Sequence, residues 1–356
     1  MEGVGMERVM KLLQEVVRLG ASDLFITVGL APVVKVDGNL LSLSGYDRFG
    51  PADTEVCARQ LCPKDKDYQE FLEYGEKDFS LSMPDIGRFR INIFRQRGSC
   101  AVSLRRIYTD LPDPAALGIP DAIMALTGRN KGLILVTGPT GCGKTTTLAA
   151  LIDKINHERS CHVLTLEDPI EYLHRHCQSV INQREIGSDT QSYQRGLRAA
   201  LRQSPDVILI GEMRDLETIS IALTAAETGH LVFSTLHTVG AAKTIDRIID
   251  VFPPNQQQQI RVQLSTVLQA VVSQQLLPSP DGGQVPAFEI MLINSAIRNM
   301  IRENKTPQID GTIQMGGPQG MISMDLSLAS LLRRGLISRE DALHFAVNPD
   351  TIERYL

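Results

Sequence analysis

The stretch LILVTGPTGCGKTTTLAALI, Leu133 to Ile152, sets an apolar run, a cluster of glycine and threonine around one lysine, and a second apolar run end to end. The first run reads as a buried strand and the second as a helix. Between them Gly138, Gly141, Gly143, Lys144 and Thr145 fit G-x-x-x-x-G-K-[ST]. Glycine opens backbone conformations closed to other residues, so that amide N–H groups can converge on phosphate oxygens. The helix N-terminus adds the positive end of its dipole. The loop as a whole, with Pro139, Thr140, Cys142 and Thr146, would therefore wrap a nucleotide. Lys144 would reach the β- and γ-phosphates, and the Thr145 hydroxyl would ligate Mg²⁺. The bare pattern also arises by chance in glycine-rich turns, but a strand before it and a helix after it argue for the phosphate loop.

Working outward, the short apolar runs GLILVT, HVLTL, DVILI and HLVFST alternate with helix-length segments. That pattern is expected of parallel strands covered on both faces by helices. After about Ala287 helical signals take over: NSAIRNMIREN, a glycine-rich break, then a face formed by Leu326, Leu328, Leu331 and Leu332 that ends near Gly335. Ahead of the loop the pattern differs. Val9, Leu12, Leu13, Val16 and Leu19 recur at helical spacing before Gly20, and SDLFITV, APVVKVDGNLL, DFSLSM and GRFRINIFRQRGSCAVSLRRI read as strands, with Asp37-Gly38 as a hairpin turn. The expectation is a small α+β domain on an antiparallel sheet over residues 1–108, a proline-bearing linker over 109–120, and an α/β nucleotide-binding domain with a helical C-terminal subregion over 121–356. A length of 356 residues agrees with two domains at about 150 residues each.

Acidic residues follow two of the buried strands. HVLTLEDPIEY places Glu167, Asp168 and Glu171 after one, and DVILIGEMRD places Glu212 after another. Ligands of parallel α/β sheets collect at the carboxyl ends of strands, so both clusters should face the phosphates. One carboxylate would hold Mg²⁺ or its water shell and another would position an attacking water; alternatively, Glu167 or Asp168 merely caps the following turn. His230 and His237 flank the strand of TGHLVFSTLHT, and both are expected beside the same strand ends, although lone histidines often serve only packing. Six arginines, Arg88, Arg90, Arg95, Arg97, Arg105 and Arg106, lie between Ile86 and Ile107 with no acidic residue among them. Such a set is commonly a solvated face, but guanidinium forks suit phosphate, and a neighbouring subunit would be able to present them to a nucleotide.

Composition excludes several classes. A net charge of -5 gives no general reason to bind nucleic acid or an anionic membrane. No apolar run approaches the roughly 20 residues of a membrane span, and the N-terminus lacks a cleavage-site pattern, so a cytoplasmic location is expected. The six cysteines, Cys57, Cys62, Cys100, Cys142, Cys161 and Cys177, form no C-x-x-C pair and read as free thiols in a reducing compartment.

The blocks GPTGCGKTTTLAALID, TLEDPIEYLH, VINQREIG, GEMRDLETISIALTAAETGHLVFSTLHT and AIRNMIRE, with GASDLFIT and GRFRIN near the front, together resemble the PilT-type pilus retraction (twitching motility) ATPases of the secretion-ATPase superfamily. The resemblance spans nearly the whole chain. It implies a PAS-like N-terminal domain and a RecA-like P-loop ATPase domain, assembled as a homohexamer at the cytoplasmic base of type IV pili. The nucleotide, ATP with Mg²⁺, would lie between the two domains and be completed by a neighbour, and its hydrolysis would draw pilin back into the inner membrane. An inner-membrane platform protein and a paralogous accessory ATPase are the implied partners. By motif, Lys144 and Thr145 belong to Walker A, Glu212 is the Walker B acid, and Glu171 is the implied catalytic carboxylate with Glu167 second. His230 and His237 fall in the family's His box, and Arg90, Arg97 and Arg105 match its nucleotide-sensing arginines. AIRNMIRE resembles the motif needed for retraction but not for hydrolysis. Three positions depart from the family: Cys142 and Thr145 stand where serine is usual, and Met300 stands where leucine is usual. An exposed Cys142 thiol would make the loop sensitive to oxidation. The rivals are assembly or type II secretion ATPases, whose extra N-terminal domain and tetracysteine site are not seen here, a PilU-type accessory subunit, and a DNA-translocating motor.

Overall fold

The computed structural model describes residues 2–354 apart from 37, 63, 108–110 and 112. Asp37 of the expected hairpin turn and part of the expected linker thus lie outside the described residues. The chain forms two compact units, residues 1–109 and 110–356.

In the first unit α1 (Glu2–Arg18) buries Val9, Leu12, Leu13 and Val16, the stripe of an amphipathic helix. It is followed by β1 (Asp23–Ile26), β2 (Val33–Val36), β3 (Asn39–Ser42), α2 (Pro51–Leu61), α3 (Asp65–Tyr74), β4 (Glu76–Met83), β5 (Gly87–Gln96) and β6 (Ser99–Ile107). The strands form an antiparallel sheet in the order β3-β2-β1-β6-β5-β4. Phe89, Ile91 and Ile93 alternate into the core with Leu24, Ile26 and Leu104 of the neighbouring strands, so Arg90 and Arg105 point to the other face. Arg97 and Gly98, both at positive φ, close the β5–β6 hairpin, a two-residue turn of the kind such backbones favour. The helices α2 and α3 escaped the sequence reading. The buried side of α2 is Thr54, Cys57, Ala58 and Leu61, only weakly apolar, and its start is set by Pro51 and by the Gly50 amide donating to the Asp53 carboxylate at 2.8 Å.

The second unit begins with α4 (Asp121–Met124) and is built on β7 (Gly132–Thr137), α5 (Lys144–Glu158), β8 (His162–Glu167), β9 (Val180–Glu185), α6 (Tyr193–Ala200), β10 (Val207–Ile210), α7 (Leu216–Glu227), β11 (Leu231–Leu236), α8 (Ala241–Asp250), α9 (Pro254–Val267), β12 (Leu268–Pro278) and β13 (Gln284–Leu292). The sheet order is β13-β12-β7-β11-β10-β8-β9, parallel throughout except for β13. Along β7, Leu133 and Leu135 enter the core beneath α6 to α9, whereas Ile134 and Val136 enter the core beneath α5. Burial on both faces is why these strands read as unbroken apolar runs. After β13 come α10 (Ser295–Arg302), α11 (Ile309–Met315), α12 (Met324–Arg333), α13 (Arg339–Phe345) and α14 (Pro349–Glu353). The last three pack a small core of their own with Leu277 and Ala287. The helical region therefore starts later than the sequence indicated, because β13 continues through Leu292.

The register aligns the strand ends that matter. Ile210 lies opposite both Leu166 and Ser234, and Thr137 lies opposite Leu236. Glu167, which ends β8, and the residues that follow the other strands, Gly211 with Glu212 and His237, lie along the same edge as the glycine loop.

Candidate active site

The loop between β7 and α5 takes its shape from backbone that other residues would resist. Gly138, Gly141 and Gly143 have φ of +142°, +81° and +85°. A side chain at Gly138 would put Cβ 2.2 Å from the Gln274 carbonyl oxygen and 2.7 Å from Cys142 Sγ. At Gly143 it would meet Gln274 Nε2 at 2.9 Å. Gln274, from β12, thus lies directly against the loop, and its Oε1 accepts from the Thr147 hydroxyl at 2.8 Å. This supporting residue was missed in the sequence because a buried glutamine in a strand carries no motif.

Gly143 caps α5, so Lys144, Thr145 and Thr146 form the first helical turn, where amides have no partner within the helix. The Lys144 ammonium, with only 8% of the residue exposed, donates to the Gly138 and Pro139 carbonyls at 2.8 Å each. Burial holds its pKa below the usual lysine value, opposed by Cys142, Glu212 and Glu171. A cavity of about 350 Å³ opens over this turn. Its walls include Thr140, Gly141, Gly143, Lys144, Thr145 and Thr146 from the loop and helix, Glu167, Asp168, Glu171, Tyr172 and His174 from the segment after β8, and Gly211, Glu212, Thr235 and His237 from the ends of β10 and β11.

The carboxylates differ in setting. Glu167 is 6% exposed and accepts from the Thr165 hydroxyl at 2.6 Å and from Gln183 Nε2 at 3.2 Å. Burial outweighs these bonds and pushes its pKa up to about 7. Glu171 is exposed on the cavity wall. Glu212 receives Arg214 Nε at 2.7 Å and faces His237 Nε2 at 3.4 Å. The segment that carries Glu171 is held by Gln183 of β9, whose Nε2 also donates to the Tyr172 carbonyl at 2.8 Å and whose Oε1 accepts from the His174 amide at 2.9 Å. Tyr172 in turn reaches Thr146, hydroxyl to hydroxyl at 3.1 Å. Tyr172 and Gln183 sit inside quoted sequence blocks, yet nothing in their spacing shows that one side chain clamps the other's backbone.

Two expectations need correction. His230 does not share the strand ends with His237. It precedes Leu231 and so lies at the start of β11, while His237 follows its end. Its Nδ1 donates to the Ala225 carbonyl at 2.9 Å, satisfying the C-terminal turn of α7, and it is absent from the cavity wall. Cys142 is not exposed: its burial raises the thiol pKa, and it faces the inside of the loop. The condition on which its oxidation sensitivity rested is not met.

Arg90, Arg97 and Arg105 belong to the first unit. Arg90 and Arg105 are direct cross-strand partners, and Arg105 is also opposite Asp23, to which its Nε donates at 2.8 Å. Like charges placed opposite one another on a sheet destabilise it unless an anion offsets them. Asp23 offsets one of the two. Arg97 stands in the hairpin turn at φ +49°.

With this geometry in place, residues 88–311, well over half of the chain, match the family described as type II/IV secretion system protein. The chain belongs to that family. Among relatives of this secretion-system protein, the type IV pilus retraction ATPase PilT of Pseudomonas aeruginosa is 45% identical over 96% of this chain and 99% of its own length. The PilU ATPase of the same organism is 39% identical over 94% of this chain and 88% of its own length. The crystal structure of the pilus retraction motor PilT with bound ADP superposes with a TM-score of 0.90 at 49% identity, covering 97% of this chain and 98% of that one. The match to a type II secretion system protein E from Pseudomonas aeruginosa is confined to 33% of this chain and 23% of that protein. No helix among the described residues is long and apolar enough to cross a membrane.

Proposed function

We propose that this protein is a motor ATPase of the pilus-retraction type, which hydrolyses ATP with Mg²⁺ as a homohexamer at the inner face of the cell membrane and drives pilin depolymerisation. The observation that carries this reading is full-length similarity to a retraction ATPase, combined with a cavity in which a phosphate loop and three glutamates converge. A type II secretion or assembly ATPase is less well supported, since the type II secretion relatives compared match between 33% and 46% of the chain.

The residues fit Mg-nucleotide. The loop is moulded so closely that a Cβ at Gly138 would clash, and a buried ammonium lies among its carbonyls. Amides of Gly141, Gly143, Lys144, Thr145 and Thr146 would line the phosphates, and Lys144 would exchange its loop carbonyls for phosphate oxygens. Thr145 and Glu212 would hold Mg²⁺, partly through water, once Glu212 turns from Arg214. When bound, the ion would supply neutralisation of the negative charge on the phosphates. Glu171, exposed to the cavity, would orient the attacking water. Glu167 is second choice, because its buried carboxyl is half protonated near pH 7 and already accepts two hydrogen bonds. Arg90, which has no anionic partner among the described residues, would meet the nucleotide of a neighbouring copy. Arg105 would have to leave Asp23 to do the same, and Arg97 would join them from the hairpin turn. The partners in this reading are further copies of the chain, an inner-membrane platform protein and a paralogous accessory ATPase, with no nucleic acid.

The test is hydrolysis by purified protein with and without Mg²⁺, wild type beside Glu171→Gln, with oligomer mass recorded on the same samples. The expected result is Mg²⁺-dependent turnover by a wild-type hexamer and a variant that binds ATP yet turns over at least about 10²-fold more slowly. A wild-type hexamer that binds ATP without turnover would make the accessory-subunit reading the better one. In cells, deletion should leave a hyperpiliated strain that does not retract, and a strain that loses its pili would contradict the assignment.

A further inference from the structure

Away from the cavity, the far end of α5 carries a second cluster of reactive side chains. His157, in the last helical turn, places Nε2 3.4 Å from the Sγ of Cys177. Its other nitrogen, Nδ1, lies 2.9 Å from the Asp153 carbonyl and 3.4 Å from the Asp153 carboxylate. A carbonyl oxygen only accepts, so Nδ1 carries the proton. In the neutral ring, Nε2 is then left with its lone pair toward the thiol. The cluster has the form of a nucleophile, a base and a group that orients the base.

The thiol is fixed in place as well as faced by a base. Asn156, almost wholly buried, accepts from the Cys177 amide at 3.1 Å through Oδ1 and donates to the Arg175 carbonyl at 2.7 Å through Nδ2. The amides of Gln178 and Ser179 donate to the Asn156 carbonyl. The thiol's alternative acceptor, the Arg175 carbonyl, is farther away at 3.8 Å. Cys177 is also the one exposed cysteine of the six. Burial pushes the thiols of Cys57 and Cys62 up to about 11 and about 12 and raises those of Cys100 and Cys142. Cys161 lies against the Ser179 hydroxyl at 3.2 Å.

We propose that Cys177 is a modification site that takes low-molecular-weight disulfides, with His157 as its base and Asp153 as the group that orients the base. His157 Nε2 accepts the thiol proton as Sγ attacks one sulfur of the disulfide. The bond between the two reagent sulfurs breaks as the bond to Sγ forms, and the departing thiolate takes the proton from the imidazolium. Thiol plus disulfide thus gives mixed disulfide plus thiol, with the reagent as the oxidant. The exposed guanidinium of Arg175, two residues away, favours an acidic reagent of the glutathione disulfide kind. The segment so marked is the one that carries Glu171 and Tyr172, which makes the adduct a natural means of redox control over the cavity wall.

The experiment treats the full-length protein with oxidised glutathione at pH 7, maps the adduct by peptide mass, and follows its rate with an aromatic disulfide whose released thiolate absorbs. Cys177 should react first, and reductant should reverse the reaction. The fast phase should vanish in Cys177→Ser. His157→Ala and His157→Gln should each slow Cys177 about tenfold or more, while the rates of the urea-unfolded proteins stay equal to that of wild type. A purely structural role for His157 predicts the opposite sign, because loosening the segment would expose the thiol further. First reaction at another cysteine, or an unchanged or faster Cys177 rate in the His157 variants, overturns the proposal. None of these readouts depends on ATP hydrolysis.

Discussion

At the scale of single residues, two glycines of one loop give a discriminating pair. Gly138 has both a positive φ and the Gln274 carbonyl where a Cβ would stand, whereas Gly141 has positive φ and open space. Gly141→Ala should therefore cost about 1–2 kcal/mol of backbone strain, and Gly138→Ala should cost more and abolish ADP binding. Thermal unfolding and calorimetric titration of the two variants check the order. Glu167 gives a pH dependence whose sign follows from its raised pKa. The folded state holds the proton more tightly than the unfolded chain, so its contribution to stability is complete below pH 4.5 and is lost as pH rises through about 7. Glu167→Gln should remove that decline and raise stability above pH 7 by an amount on the order of 3 kcal/mol relative to its effect at pH 4.5. Urea unfolding at several pH values measures it. The phosphate loop and the acidic clusters were legible because their chemistry is written in residue type and spacing. The position of His230 was misread because adjacency in sequence hid the fact that a strand has two ends, and those of β11 are about 20 Å apart.

At the scale of elements, β7, β8, β10 and β11 declared themselves as apolar runs because helices cover both faces. β12 and β13 did not, since Ser273, Gln274, Gln275 and Glu289 interrupt them with buried polar groups. Such groups are tolerated where they have partners behind the phosphate loop and beside α8: the Thr147 hydroxyl donates to Gln274, the Ala241 amide to Glu289 at 2.7 Å and the Gly240 amide to the Ser273 hydroxyl at 2.9 Å. The helix of AIRNMIRE shows how a motif can be anchored without touching the cavity. Asn294 accepts from the Ile297 amide at 3.0 Å as its N-cap, Ile297 and Ile301 are buried, and Arg298 donates to the Ser265 and Thr266 carbonyls at the end of α9. Asn294→Ala should cost about 1 kcal/mol. ATP hydrolysis should remain near wild type, as expected of a helix remote from Glu171. Denaturant titration and turnover assays together test this, and a large loss of turnover would show that α10 is coupled to the cavity.

At the scale of the whole molecule, the division into an antiparallel unit and a parallel unit was readable from the switch in hydrophobic pattern, whereas α2 and α3 were not, because their buried faces are short and mixed. Each unit has its own core. Every residue on the cavity wall belongs to residues 110–356. A fragment of that range is expected to fold and to bind ADP with an affinity within about tenfold of the intact chain. Calorimetry is the check, and loss of binding would mean that residues 1–109 supply part of the grip. Containment of the cavity within one unit separates two things that many active sites combine. If the fragment binds ADP as expected, each copy in the proposed cycle would be charged independently of its neighbours. What the arginine-bearing unit of another copy contributes would then be permission rather than affinity: a signal that fires a round already chambered and so allows the order of firing to be set around a ring.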